Sequence, residues 1–117
     1  MKRTDFAGAL YRYFRDYLVN DRGCSARTIE TYRYAFIQFI DYMENHLNIR
    51  PEKIELTHIN VQNLQSFLLW LEREKKVSTS TRNQRLAAFK SFSSFLKYDL
   101  PECLDNVIQI KSFVFIK

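Results

Sequence analysis

Two stretches of this chain repeat one pattern: SARTIETYRYAF (Ser25 to Phe36) and STSTRNQRLAAF (Ser78 to Phe89). Each sets Ser and Thr three positions apart and reaches Ala-Phe after six intervening residues. The chemistry this spacing offers is anion binding at the start of a helix. The first N–H groups of a helix lack intrahelical partners, and that end carries roughly half a positive charge. Ser25 and Ser78 can each cap one such donor, and Thr28, Thr31, Ser80 and Thr81 add hydroxyls at the same ends. A phosphate finds donors and a favourable dipole there. Arg27 and Arg33 flank the first stretch, Arg82 and Arg85 the second. Acids normally complement a first turn, so a basic residue there costs roughly a few tenths of a kcal/mol. Capping accounts for the Ser and Thr; an incoming anion accounts for the arginines as well.

The second stretch opens a helix with two kinds of basic position. At about 100° per residue, Asn83, Lys90 and Lys97 fall almost in one line, with Ser94 nearby. Arg82 and Arg85 instead continue the apolar stripe of Phe89, Phe92 and Leu96 toward the N-terminus. Either their stems lie over the edge of the core, or that end overhangs the core and enters a groove. Among base edges Arg suits guanine and Asn suits adenine. Lys90 and Lys97 suit phosphate contacts, which position without specifying.

Composition and periodicity define the elements that hold these residues. The chain has 117 residues, enough for one compact domain, and 46% of them are hydrophobic, enough for a core. Two Gly and two Pro are too few for the many tight turns of a sandwich or barrel, so an all-α fold is expected. Ten Phe and seven Tyr point to aromatic packing with some rings at the surface. The net charge is +5, and it is segregated. Lys75 to Tyr98 holds six basic residues and no acid, while the rest of the chain has 12 basic and 13 acidic residues. Such a segment is either a polyanion footprint or a solvated helix face.

Four to five helices are predicted. The first runs from about Thr4 to Val19, with Phe6, Leu10, Tyr13, Phe14, Tyr17 and Leu18 inward and Gly23 as the stop. The second follows Ser25 to about His46, with Ile29, Tyr32, Phe36, Phe39, Ile40, Met43 and Leu47 as its stripe. Pro51 breaks the connection. The third starts near Thr57 or Asn60, with Val61, Leu64, Phe67, Leu68 and Leu71 inward. The fourth follows Ser78, with Leu86, Phe89, Phe92 and Leu96 inward, and Pro101 opens a short fifth. The apolar tail QIKSFVFIK is either a pairing strand or the start of a linker; the second is preferred, because the helix pattern is complete without it.

Other chemistry finds little support. There is no CxxC, HExxH, Gly-rich phosphate loop or Gly-x-Ser-x-Gly, so no metal, cofactor or hydrolytic site is expected. Cys24 and Cys103 are read as reduced thiols, His46 and His58 as surface or capping residues. Arg12 and Arg15 lie among tyrosines, where stacking or solvation is the simpler role, and Trp70 is read as core or a domain contact. The N-terminus lacks an apolar signal region and no run reaches the roughly 18–20 residues of a membrane span, so a cytoplasmic protein with no membrane partner is expected.

The ordered motifs resemble the core-binding domain of the tyrosine recombinases, the phage integrase family. Ser25, Thr28 and Tyr32 match its Ser-x-x-Thr-x-x-x-Tyr helix; Leu56, Thr57, Phe67 and Leu71 match the next helix. Thr81, Asn83, Leu86, Lys90, Ser91 and Phe92 match the one after that. The resemblance implies a SAM-like helical bundle forming half of a clamp on double-stranded DNA at a recombination site. Its second and fourth helices would face the major groove through Arg27, Thr28, Thr31, Arg33, Ser80, Arg82, Asn83, Arg85 and Lys90. It also implies three partners: the recombination-site DNA, the protein's own catalytic domain and other recombinase protomers. That catalytic domain brings a His-x-x-Arg, but here His46 leads to Ile49 and His58 to Val61. Residues 1–110 are therefore expected to form the DNA-binding domain and 111–117 the start of a linker. Strand cleavage would belong to a portion outside this chain. The alternatives are a helical protein-interaction module and, with no short turn before a recognition helix, a helix-turn-helix regulator.

Overall fold

The computed structural model describes residues 4–101 and 109–113. Among them the backbone is all-α, with no strand, as expected. The chain divides into two compact units, Met1–His58 and Ile59–Lys117.

The first unit starts with α1 (Asp5–Arg12), capped by Thr4, whose Oγ1 accepts the Ala7 N–H at 3.3 Å. The Asp5 carboxylate accepts the Leu56 N–H at 2.8 Å, tying this helix start to a later turn. From Tyr13 to Asp21 the helix widens into a π-helix. Burial follows the change of pitch: Phe6, Ala9 and Tyr13 are buried at α spacing, then Leu18, five positions on. The wider turn leaves Phe14 and Tyr17 half-buried, where an even α period puts them inward; Leu10, expected inward on α1, is half-buried as well. Tyr13 packs against Phe14, Tyr17 and Phe36, with ring centroids 5.0, 5.8 and 6.0 Å away.

The next helix, α2 (Ala26–Leu47), buries Ala35, Phe36, Phe39, Tyr42 and Met43. Tyr42 also stacks on His46, at 5.1 Å. Leu47, expected inward, is exposed at the last turn. Two short 3₁₀ turns follow, Pro51–Lys53 and Leu56–His58. Nδ1 of His58 accepts the Glu55 N–H at 2.9 Å, a capping role.

The second unit pairs α3 (Val61–Arg73) with α4 (Thr79–Asp99). Asn60 is the N-cap of α3, its Oδ1 accepting the Asn63 N–H at 2.8 Å. Leu64, Phe67, Leu68 and Leu71 of α3 are buried, as are Leu86, Phe89, Phe92 and Leu96 of α4. Phe67 meets Phe89 edge-on at 5.9 Å. Trp70 is half-buried, stacked on Phe67 and covered by the Lys75 ammonium at 5.2 Å. Residues 109–111 form one helical turn, in which Ile110 is buried. The fifth helix expected after Pro101, together with Cys103 and the last four residues of the tail, lies outside the described residues.

Three helix ends close alike. Gly23, Asn48 and Lys76 adopt left-handed backbone, at φ 57, 55 and 53°. The residue after each donates to a carbonyl six positions back: Cys24 to Leu18, Ile49 to Met43 and Val77 to Leu71. These closures are one residue wider than the usual Schellman motif. Gly23 was legible as a stop; Asn48 tolerates the conformation, and Lys76 adopts it against side-chain sterics.

Two stability changes follow. A Cβ on Gly23 would meet no atom within 4 Å, so Gly23→Ala should cost only the left-handed backbone penalty. That is about 1 kcal/mol, a fall of a few degrees in Tm by thermal unfolding. Ser93 is fully buried and its Oγ finds no partner among the described residues. Ser93→Ala removes that orphaned hydroxyl and should raise Tm by a few degrees, about 1 kcal/mol.

Candidate nucleic-acid interface

The repeated pattern folds into the same cap twice. The Thr28 N–H donates to Ser25 Oγ at 3.1 Å, and Ser25 Oγ donates to Thr28 Oγ1 at 3.1 Å. The Thr81 N–H and Ser78 Oγ repeat both bonds, again at 3.1 and 3.1 Å. Thr in the third helical position replaces the acid of a capping box and leaves the helix start without negative charge. The Ser and Thr that define the repeat are thus engaged with each other. Thr31 Oγ1 also turns inward, donating to the Arg27 carbonyl at 2.9 Å.

On α2 the candidate residues separate. At about 100° per residue, Arg27, Thr31 and Tyr34 share one face, and Arg33 lies roughly a third of a turn away. Tyr34 is 52% exposed, a ring beside the Arg27 position that the sequence reading passed over. Arg33 is exposed and edges an apolar groove of about 570 Å³, lined also by Phe6, Leu10, Tyr11, Phe14 and Ile40. Arg15 lies on the same groove, stacked over Tyr11 at 4.7 Å and paired to Asp16 at 2.7 Å. The Asp16 hydrogen bond raises the Arg15 pKa, and the same bond lowers that of Asp16.

On α4 the division is sharper. Ser80 and Asn83 come together, lining a shallow depression with Thr79, Gln84 and Ala87. The sequence reading missed the last three; the signal was present, because Ala87 stands four positions after Asn83 and Gln84 four after Ser80. This face offers hydroxyls, two amides and a methyl, with no acid. Lys90 continues it one side over, its Nζ donating to the Lys111 carbonyl at 3.2 Å.

Arg82 and Arg85 do not join that face. The Arg82 side chain is only 11% exposed, and its Nε faces Glu72 of α3 at 3.6 Å. Its Nη1 donates to Asn83 Oδ1 at 3.1 Å. Arg85 is half-buried, and burial draws its pKa below the ordinary value. The open choice between arginines over the core edge and arginines overhanging it is thereby answered for Arg82: it lies against the neighbouring helix.

Among the described residues no cluster of His, Cys, Asp and Glu is placed to hold a metal ion, and no helix is long and apolar enough to cross a membrane. The family model for the phage integrase N-terminal SAM-like domain matches residues 12–99. The chain belongs to this family. It is 31% identical over 101 residues to the y4rC protein of Sinorhizobium fredii, named as an integrase/recombinase, covering 86% of this chain and 30% of that one. It is 33% identical over 84 residues to the tyrosine recombinase XerC of Herpetosiphon aurantiacus, covering 72% and 26%. It is 36% identical over 83 residues to the XerC of a Roseiflexus species, covering 71% and 25%. The chain therefore spans less than a third of each of these relatives. No solved structure matches it.

The two caps carry a prediction. Ser25→Ala and Ser78→Ala should each lower stability by about 1 kcal/mol, and the glycine variants by only a few tenths, as measured by denaturant unfolding.

Proposed function

We propose that this chain is the DNA-binding, N-terminal part of a site-specific tyrosine recombinase, clamping the duplex of a recombination site. One observation carries the proposal: the acid-free segment Lys75 to Tyr98, whose six basic residues account for the whole net positive charge, largely overlaps α4, whose outward face beside Ser80 and Asn83 bears hydroxyls and amides and no acid. Such a face admits base edges while flanking lysines hold phosphates. In this reading Ser80 and Asn83 face the groove, Lys90 holds a phosphate, and Arg27, Thr28 and Thr31 bring the start of α2 to the backbone. Arg82 and Arg85 contribute charge from behind that face, and Arg33 from the side of α2.

The proposal extends to the whole protein. Residues 1–110 serve as the core-binding domain and 111–117 lead toward a catalytic domain, which carries out strand cleavage and rejoining. The chain's partners are then double-stranded DNA, that catalytic domain and neighbouring protomers, in the cytoplasm and at the nucleoid. A second reading, a helical protein-interaction module, is favoured by the apolar groove beside Arg33.

Titrating the chain against labelled duplex at ~50 and ~200 mM salt separates the two, since phosphate contacts make affinity fall steeply with salt. Lys90→Ala should reduce the slope of log affinity against log salt by about one while leaving Tm nearly unchanged. Absent or salt-independent binding would overturn the DNA reading.

A further inference from the structure

We propose that Glu72, acting through Arg82, positions the Asn83 amide to read one base pair, so that an acid on α3 governs sequence preference on α4. This rests on the DNA-binding reading above. The chain of contacts is short: Glu72 Oε1 to Arg82 Nε at 3.6 Å, then Arg82 Nη1 to Asn83 Oδ1 at 3.1 Å. A guanidinium only donates, so the Asn83 atom facing it is the amide oxygen, and the orientation of the amide is set chemically. The Nδ2 donor is thereby turned away from Arg82. An asparagine on a helix surface ordinarily samples several side-chain orientations; here a side chain 11% exposed, itself held by Glu72, selects one.

That selection takes place at the depression lined by Thr79, Ser80, Asn83, Gln84 and Ala87. An amide that leads with its donor fits an acceptor on the major-groove edge, such as a purine N7. Glu72 is then a positioning residue, and the sign of its effect distinguishes this role. An acid beside a basic helix weakens polyanion binding by simple repulsion, so removing it should help non-specific affinity. Removing it from the relay should harm discrimination.

The test is selection of a randomised duplex pool by the chain and its variants, well below each Tm, followed by sequencing. Asn83→Ala identifies the base pair involved. Glu72→Ala and Arg82→Ala are expected to lose about tenfold in preference at that same base pair, with preferences elsewhere retained. Glu72→Ala should also bind unselected duplex at least as tightly as the parent. Should Arg82→Ala fail to fold, Glu72→Ala decides. The proposal is overturned if Glu72→Ala keeps the preference that Asn83→Ala loses, if it weakens every position uniformly as a merely structural change would, or if Asn83→Ala alters no base pair. A parent chain that binds no duplex overturns the DNA-binding reading itself, an outcome distinct from these.

Discussion

The first two turns of α4, Thr79 to Arg85, contain no apolar residue. Hydrophobic burial, which fixes Leu86 to Leu96, cannot anchor them, yet they carry the face on which the functional reading depends. Two polar interactions take its place: the Ser78–Thr81 cap at the tip, and the contact of Arg82 with Glu72 of α3. Withdrawing a guanidinium from water is costly unless it is paired, and the carboxylate of Glu72 offsets part of that cost. The polar start of α4 is thus set against α3 by a charge contact, while the other face of the same helix remains available to solvent.

The first unit meets a different constraint. Tyr11, Tyr13, Phe14 and Tyr17 crowd seven positions, too many rings for one buried stripe of an α-helix. The π-helical stretch changes which of them lie inward. Tyr13 and Leu18 become the fully buried pair, while Phe14 and Tyr17 pack on Tyr13 from the side. Phe14, together with Tyr11, lines the groove beside Arg33 instead.

These cases show what the amino-acid pattern makes legible. Four helices, three of their caps, the buried residues of α3 and Leu86, Ala88, Phe89, Phe92 and Leu96 of α4 follow from period and capping chemistry, because both are local; Ser93 and Phe95, equally buried, do not. The π-helix does not, since a periodicity reading assumes one pitch throughout. The left-handed Lys76 is likewise invisible: the conformation is imposed by the Val77 to Leu71 closure, and nothing in a lysine announces it. For the candidate site, helical angle alone separates Asn83 from Arg82. The partner that holds Arg82 is a tertiary fact. Glu72 lies ten positions upstream on another helix, among acids that look like ordinary solvated charge.

The doubled pattern with which the chain first draws notice divides by the same logic. What repeats, Ser-x-x-Thr and then Ala-Phe, is what any helix of this kind requires: a closed cap at one end and a residue pair in the core. Ala35 and Phe36, and equally Ala88 and Phe89, are buried. What does not repeat is the sequence between. In α2 that interval offers Arg33 and Tyr34 beside Glu30; in α4 it offers Arg82, Asn83 and Gln84 with no acid. A repeat that served recognition would preserve the outward residues and let the cap vary. Here the cap is preserved and the outward residues differ, so the two helix starts share a folding solution and present different surfaces.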